Sequence, residues 1–273
     1  MAMRDPHRFV NELDEAAIER LIARLEGRAQ DPVFARLFDK CVTHLSFPPQ
    51  ARVLEIGCGT GAMMRLLARR SDFSGTALGI DQSQPFIEAA RRFAADENVS
   101  DRVEFRRGDA HNLEFPSEAF DAVIANTVIS HVTEPSTVIR EMVRVLRPGG
   151  SAVVFDGDYA SLTYAYPDHA FGHQMDAALM NAVFNNPRIM RELPRMLADL
   201  GLRLASGWGD AVAEIGTGSN FPSFAETYVP SIKDAGVLPR EAVDAWLAWQ
   251  RQATQDGTFF ASCTYYTYLI QRA

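Results

Sequence analysis

Arg52-Val53-Leu54-Glu55-Ile56-Gly57-Cys58-Gly59-Thr60-Gly61 is the stretch on which the reading of this chain turns. Val53, Leu54 and Ile56 make a short apolar run that stops at three alternate glycines. Behind it, Ala62-Met63-Met64-Arg65-Leu66-Leu67-Ala68-Arg69-Arg70 has helical composition and spacing. The pattern predicts a buried strand, a glycine turn and a helix start. Gly57, Gly59 and Gly61 permit backbone angles that other residues avoid, and leave no side chain between main chain and ligand. Amides at the helix start then offer donors and partial positive charge to an anionic or polar group. Two patterns fit the turn: G-x-G-x-x-G/A through Gly57, Gly59 and Ala62, and E/D-x-G-x-G-x-G through Glu55, Gly57, Gly59 and Gly61. The turn by itself leaves both open.

The 273 residues suffice for one large domain or a domain with a cap. A hydrophobic share of 47% with 23% charged residues is that of a soluble globular protein. The formal charge of −8 and a pI near 5.3 argue against a nucleic-acid or anionic-membrane surface, both of which need a basic footprint. Lys40 and Lys233 are the only lysines, and no basic run is longer than two residues. Cys41, Cys58 and Cys263 are scattered without a C-x-x-C pair, so a disulfide framework and a cysteine zinc site are not expected. The opening Met1-Ala2-Met3-Arg4-Asp5-Pro6-His7-Arg8 carries charges and a proline where a leader needs an apolar core. No stretch approaches the roughly 20 apolar residues of a membrane span. The expectation is a cytoplasmic protein, monomer or homodimer.

Outward from the turn, residues 9–46 read as two helices, the first opened by Leu13-Asp14-Glu15 and ending at Gly27, the second capped by Asp31-Pro32. This arm is either a packing appendage or a lid over a ligand pocket. On the other side, Thr76-Ala77-Leu78-Gly79-Ile80-Asp81 is a second apolar run ending in an acid. A carboxylate at a strand tip can accept two hydrogen bonds from a ribose, with Gln82 beside it. Arg102 to Ala110 alternates as an exposed strand and ends in Gly108-Asp109-Ala110, followed by His111-Asn112-Leu113-Glu114-Phe115-Pro116. Phe120-Asp121-Ala122-Val123-Ile124-Ala125-Asn126 is a fourth strand. Arg147-Pro148-Gly149-Gly150 closes an amphipathic helix and leads into a fifth, Ser151 to Asp156.

This order resembles the class I S-adenosylmethionine-dependent methyltransferases, most of all the small-molecule group of the ubiquinone/menaquinone-biosynthesis type, over residues 50–158. It is carried by the E-x-G-x-G-x-G turn, the acid at 81, Gly108-Asp109-Ala110, Phe120-Asp121-Ala122-Val123 and Leu146-Arg147-Pro148-Gly149-Gly150. The resemblance implies an α/β fold: a Rossmann-like, seven-stranded, mostly parallel sheet with an antiparallel last strand and helices on both faces. It implies S-adenosylmethionine as cofactor, held by Glu55, Gly57, Gly59, Gly61, Asp81, Gln82, Asp109, Ala110 and Asn126. Asp109 would read the adenine amine and the Ala110 amide its ring. The organisation expected is an arm or lid at 1–48 and a cofactor-binding domain at 49–273, with a cap insertion at about 219–251. Helices are expected at 168–200, 221–232 and 239–251, a sixth strand from Gly201, and a last strand at 259–270 rich in aromatic and β-branched residues.

Methyl transfer from a sulfonium asks mainly for positioning and exclusion of water, and for a base only when the acceptor carries a proton. His131, in the loop that the resemblance brings to the methionine end, is the base candidate, and Asp158 and Tyr159, after the fifth strand, are the other catalytic candidates. Asp156 and Asp158 are expected to open onto the pocket. His111 is a candidate for the adenine edge. Tyr164, Tyr166, Phe171, Trp208 and Trp246 either line an apolar acceptor site or belong to the core. His169 and His173, four apart without a third ligand, point to no metal. The acceptor is expected to be a small, partly apolar molecule, its O, N or C atom left open. A cofactor-binding protein without transfer chemistry, such as a cyclase or regulatory partner, keeps every motif. A nicotinamide oxidoreductase keeps the turn and Asp81 but gives Gly61 and Asp109 no role.

Overall fold

The computed structural model describes residues 5–45 and 47–272. Of the opening stretch Met1 to Arg8, on which the absence of a leader was expected, Met1 to Arg4 lie outside the described residues. The predicted strand is β1 (Arg52–Ile56), in which Val53, Leu54 and Ile56 have no exposed surface. Burying side chains of this kind contributes about 1.5–3 kcal/mol each. The strand pairs in parallel with β2 (Thr76–Asp81) and β4 (Phe120–Asn126). β3 (Val103–Arg107) lies beyond β2, and β5 (Leu146–Tyr164) beyond β4. With β6 (Arg203–Gly216) and β7 (Phe259–Gln271) they form one seven-stranded sheet in the order β3-β2-β1-β4-β5-β7-β6. β7 runs antiparallel to both its neighbours, as the resemblance implied, and the fold is Rossmann-like.

The two faces of the sheet follow from the strand period of two. Val53, Ala77, Phe105, Ile124, Val153 and Phe155 point to one side. They are covered there by α2 (Pro32–Thr43), α3 (Ala62–Arg69), α4 (Gln84–Asp96), α6 (His169–Val183), α8 (Asn220–Ala235) and α9 (Arg240–Asp256). Leu54, Ile56, Leu78, Ile80, Val123, Ala125 and Val154 point to the other, against α5 (Pro135–Val145) and α7 (Ile189–Asp199). Central strands covered on both faces read as continuous apolar runs, which is why the sequence shows them so clearly.

Ahead of the sheet, α1 (Glu15–Gln30) starts on Asp14, whose side chain accepts from Ala17 N at 2.7 Å. It runs three residues past Gly27, where the spacing had placed its end, because Gly27 meets nothing and an exposed glycine costs a helix only about 1 kcal/mol. Asp31 then caps α2, accepting from Val33 N and Phe34 N, with Pro32 in the first turn. Arg65 on α3, buried at 4% side-chain exposure, ties this arm to the sheet domain. It donates to Glu26 Oε2 of α1 at 2.6 Å, to Glu97 Oε1 after α4 at 2.8 Å, and to the Thr60 carbonyl.

Strand order reverses between β1 and β4, so their carboxyl ends part and leave a crevice at that edge. Every residue singled out in the glycine turn, at 81–82, at 109–111 and at 126–131 stands at or after the carboxyl end of a strand on this side. Among the described residues no helix is long and apolar enough to cross a membrane.

Candidate functional site

The crevice opens into a cavity of about 720 Å³, within the roughly 300–1,000 Å³ of small-molecule sites. One wall is the glycine turn. Gly57, Gly59 and Gly61 all have positive φ, at 59°, 52° and 76°. A Cβ on Gly57 would fall 2.5 Å from Val128, and one on Gly59 would fall 3.1 Å from Leu25 of α1. Gly57 and Gly59 line the cavity, whereas Gly61 stands behind it under the ring of Phe105. Gly61 is also the left-handed residue on which α3 starts without a side-chain cap.

Glu55, next to last in β1, and Asn126, the last residue of the adjacent β4, line the same cavity. Both are buried, and among the described residues Glu55 Oε2 and Asn126 Oδ1 have no hydrogen-bond partner. Buried polar oxygens without partners are costly, and a cationic or N–H-bearing ligand would satisfy them. Burial and then the charge of Asp81 push the Glu55 carboxyl well above the usual carboxylate range. Asp81 accepts from Gly59 N and Ser83 N at 2.9 Å, so its carboxylate is aimed at the turn, and burial raises its pKa. Gln82 donates to the carbonyls of His7 and Arg8 at the rim. Asp109, with 65% of its side chain exposed, accepts from the backbone and ring nitrogen of His111 at 2.9 and 2.8 Å. Burial pulls its pKa up, and these contacts outweigh it and leave the carboxyl below its ordinary value. Asp109, Ala110 and His111 all line the cavity.

His131 also lines it, with Nδ1 on Asp5 Oδ2 at 2.8 Å. Burial alone would lower its pKa, but the charge and hydrogen bond of Asp5 and the charge of Asp156 outweigh this and raise it. Tyr159 stacks on Phe184 with ring centroids 3.4 Å apart. Phe38, Phe224, Tyr228 and Tyr265 complete an aromatic wall with them.

Asp158 departs from expectation. It is no part of the cavity lining, and its carboxylate takes hydrogen bonds from Arg191 Nε and Nη2 at 2.7–3.0 Å. Strand alternation explains the split: Tyr159 shares the face of Phe155, and Asp158 turns to the opposite face, toward α7. Asp156 does not open onto the cavity either; it accepts from Ser130 N and Oγ and fixes the loop that carries His131. None of Tyr164, Tyr166, Phe171, Trp208 and Trp246 lines the cavity. Trp246 and Tyr164 are core, and Trp208 lies against His44. His169 and His173 sit on an exposed part of α6.

Nothing in the sequence marks His7, Arg24 and Arg28 as cavity residues, or Asp5 as the partner of His131. Arg24 and Arg28 lie four apart on α1, and Arg28 Nη2 donates to Thr127 Oγ1 at 2.9 Å. Their spacing marks a shared helix face, but nothing local says that this face turns to the crevice.

Residues 54–154 match the family model described as a methyltransferase domain. The chain is 33% identical over 232 residues to an uncharacterised 37.1 kDa protein in transposon TN4556 of Streptomyces fradiae, covering 82% of this chain and 63% of that one. It is 34% identical over 131 residues to the 27-O-demethylrifamycin SV methyltransferase of Amycolatopsis mediterranei, 48% of this chain and 47% of that enzyme. The chain thus spans less than two thirds of the length of either relative. Among solved structures it is similar to the [4+2]-cyclase SpnF, with a TM-score of 0.57 and 24% identity over 88% of this chain and 80% of that one, a likeness of fold.

Proposed function

We propose, from the match of residues 54–154 to a methyltransferase domain, that the chain binds S-adenosylmethionine and transfers its methyl group to a small, partly apolar acceptor. The observation that carries this reading is the pair of buried, unpartnered oxygens, Glu55 Oε2 and Asn126 Oδ1, beside a glycine turn too tight for any side chain. That pair suits the cationic amino-acid end of the cofactor. Asp81 would take the ribose, as the acid at the tip of the second strand, and Gln82 would flank it. Asp109 and Ala110 would read the adenine edge with a carboxylate and an amide.

When bound, the cofactor supplies an electrophilic methyl carbon on a positively charged sulfur. The chain's own task is then to hold the acceptor in line and keep water out. Phe38, Tyr159, Phe184, Phe224, Tyr228 and Tyr265 offer an apolar wall to a flat acceptor. His131 would receive a proton where the acceptor has one to lose. The arm at 1–48 serves as a lid: α1 brings Leu25 over Gly59, and Arg24 and Arg28 into the cavity wall. The insertion at about 219–251 supplies Phe224 and Tyr228.

A fold shared with a cyclase keeps a second reading in view, since fold alone does not fix chemistry. The two separate on turnover. With labelled S-adenosylmethionine and a panel of hydroxylated aromatic acceptors, label in the organic phase supports transfer. Cofactor binding without label in any acceptor favours the cyclase-like reading.

A further inference from the structure

His131 is held by a residue far away in the chain. Asp5, only 7% exposed, places Oδ2 at 2.8 Å from His131 Nδ1, while its Oδ1 accepts from His7 N at 2.9 Å and Arg8 N at 3.2 Å. The short segment 5–9 is fastened across the cavity on several sides. His7 Nε2 meets Tyr228 Oη at 2.8 Å, Gln82 Nε2 donates to the carbonyls of His7 and Arg8, and Arg8 donates to Asn185 Oδ1 at 2.9 Å. The rings of His7 and His131 lie 4.7 Å apart.

We propose that Asp5 is the positioning residue of His131, and that the pair fits the site to an acceptor that surrenders a proton, a hydroxyl on a planar, mostly apolar body. This rests on the methyl-transfer reading above. A carboxylate on Nδ1 fixes the tautomer with its hydrogen there and the lone pair on Nε2. Among the described residues no group hydrogen-bonds Nε2, which is not one of the buried unpaired atoms, and His131 lines the cavity, so Nε2 is open to an acceptor. An amine can attack with its own lone pair and shed a proton afterwards, whereas a neutral hydroxyl oxygen is a poor nucleophile until its proton leaves. In the step proposed, the hydroxyl proton passes to Nε2 and the oxygen forms its bond to the methyl carbon. The carbon–sulfur bond breaks with its electron pair left on sulfur. The resulting imidazolium faces Asp5 and later loses its proton to water.

The groups around the imidazole agree with this assignment. Asp5 and His7 face it from the amino-terminal segment, Asp156 from β5 and Arg28 from α1, with Phe184 against its ring. His7 stays neutral, because burial and the neighbouring His131 charge bring it down to about 3. Of the two histidines, His131 is therefore the one placed to take up a proton, with Asp5 and Asp156 facing it.

The test begins with imidazole nitrogen NMR on the full chain loaded with S-adenosylhomocysteine, His131 being assigned by its absence in His131→Gln. Wild type is expected to titrate above 6.5, and Asp5→Asn to lower the midpoint by about 1–3 pH units, as loss of a close opposite charge does. Asp5→Glu should restore it. A wild-type midpoint below 6.5, or no shift in Asp5→Asn, overturns the positioning role whatever the variants' stability. Fluorescence titration of the same loaded protein with 1-naphthol and 1-methoxynaphthalene then reads the acceptor class. Tighter binding of the naphthol, with the difference lost in His131→Gln, supports it; equal or absent binding overturns it. With any acceptor that turns over, His131→Gln should lower kcat by about 10²–10⁴-fold, as loss of a general base does. In Asp5→Asn the acid limb of kcat should move to lower pH. Failure to bind S-adenosylhomocysteine strikes instead at the methyl-transfer reading, and leaves the Asp5–His131 titration standing.

Discussion

Glu55 is where burial and charge conspire against ionisation. Its surroundings keep the carboxyl protonated well above the usual range, and the charge of Asp81 adds to the effect of burial. A ligand ammonium beside it reverses that balance and favours the carboxylate. The sign follows: below the raised pKa binding must release a proton, so affinity for S-adenosylhomocysteine should climb with pH through that value and level off above it. Calorimetry in buffers of different ionisation enthalpy reads the released proton directly. Glu55→Gln should flatten the pH dependence and cost at least tenfold in affinity, since a hydrogen bond to a charged group contributes about 1.5–3 kcal/mol. Asp81→Ala should also weaken binding, and unchanged affinity there would remove the ribose role. For Asp109, substitution by alanine should weaken S-adenosylhomocysteine but scarcely affect an analogue without the adenine amine.

The glycine turn and α1 behave as elements. Gly61→Ala forces a side chain into left-handed backbone and into the Phe105 ring. A loss of about 1–3 kcal/mol in unfolding free energy is expected, with a matching fall in the melting temperature. Arg65 joins α1, α3 and the end of α4 through Glu26 and Glu97, and Arg65→Ala leaves the largely covered Glu26 without this partner. Breaking a buried pair on one side costs about 3–5 kcal/mol; because Glu97 is 27% exposed, the lower end is expected in denaturant unfolding. The amino-terminal segment carries its own pH window. His131 is raised above 6.5, so its contribution is complete below that value and is lost as pH rises through its folded pKa. Asp5 is lowered below 3.8, so its contribution is complete above that value and is lost as pH falls through its folded pKa. Proteolysis near residues 5–9 should therefore be slowest between these limits and quicken on either side.

Across the whole molecule, what could be read in advance was what the chain encodes locally. β1, β2 and β4 are apolar runs because both faces of the sheet are covered, and the acids at 55, 81 and 109 stand at or just beyond strand ends that topology gathers at one edge. Asp31-Pro32 gave the start of α2 because a cap is a matter of three residues. Asp158 was misplaced because alternation fixes which neighbours share a face, and nothing in the sequence said which face met the cavity. Arg144 on α5 donates to the carbonyls of Leu113 and Phe115 and clamps the loop after Asp109, a contact that helix periodicity does not reveal. Asp5 was invisible for a plainer reason: its partner lies 126 residues away, and pairing over such distance is decided by packing.

Calorimetric titration of the purified chain with S-adenosylhomocysteine, with NADH as the control, bears most directly on the central claim. One-to-one binding in the micromolar range for the former, and no heat from the latter, is the expected result. Silence with S-adenosylhomocysteine, or binding of NADH in its place, would contradict the roles given to Glu55, Asn126 and Asp109, and methyl transfer with them.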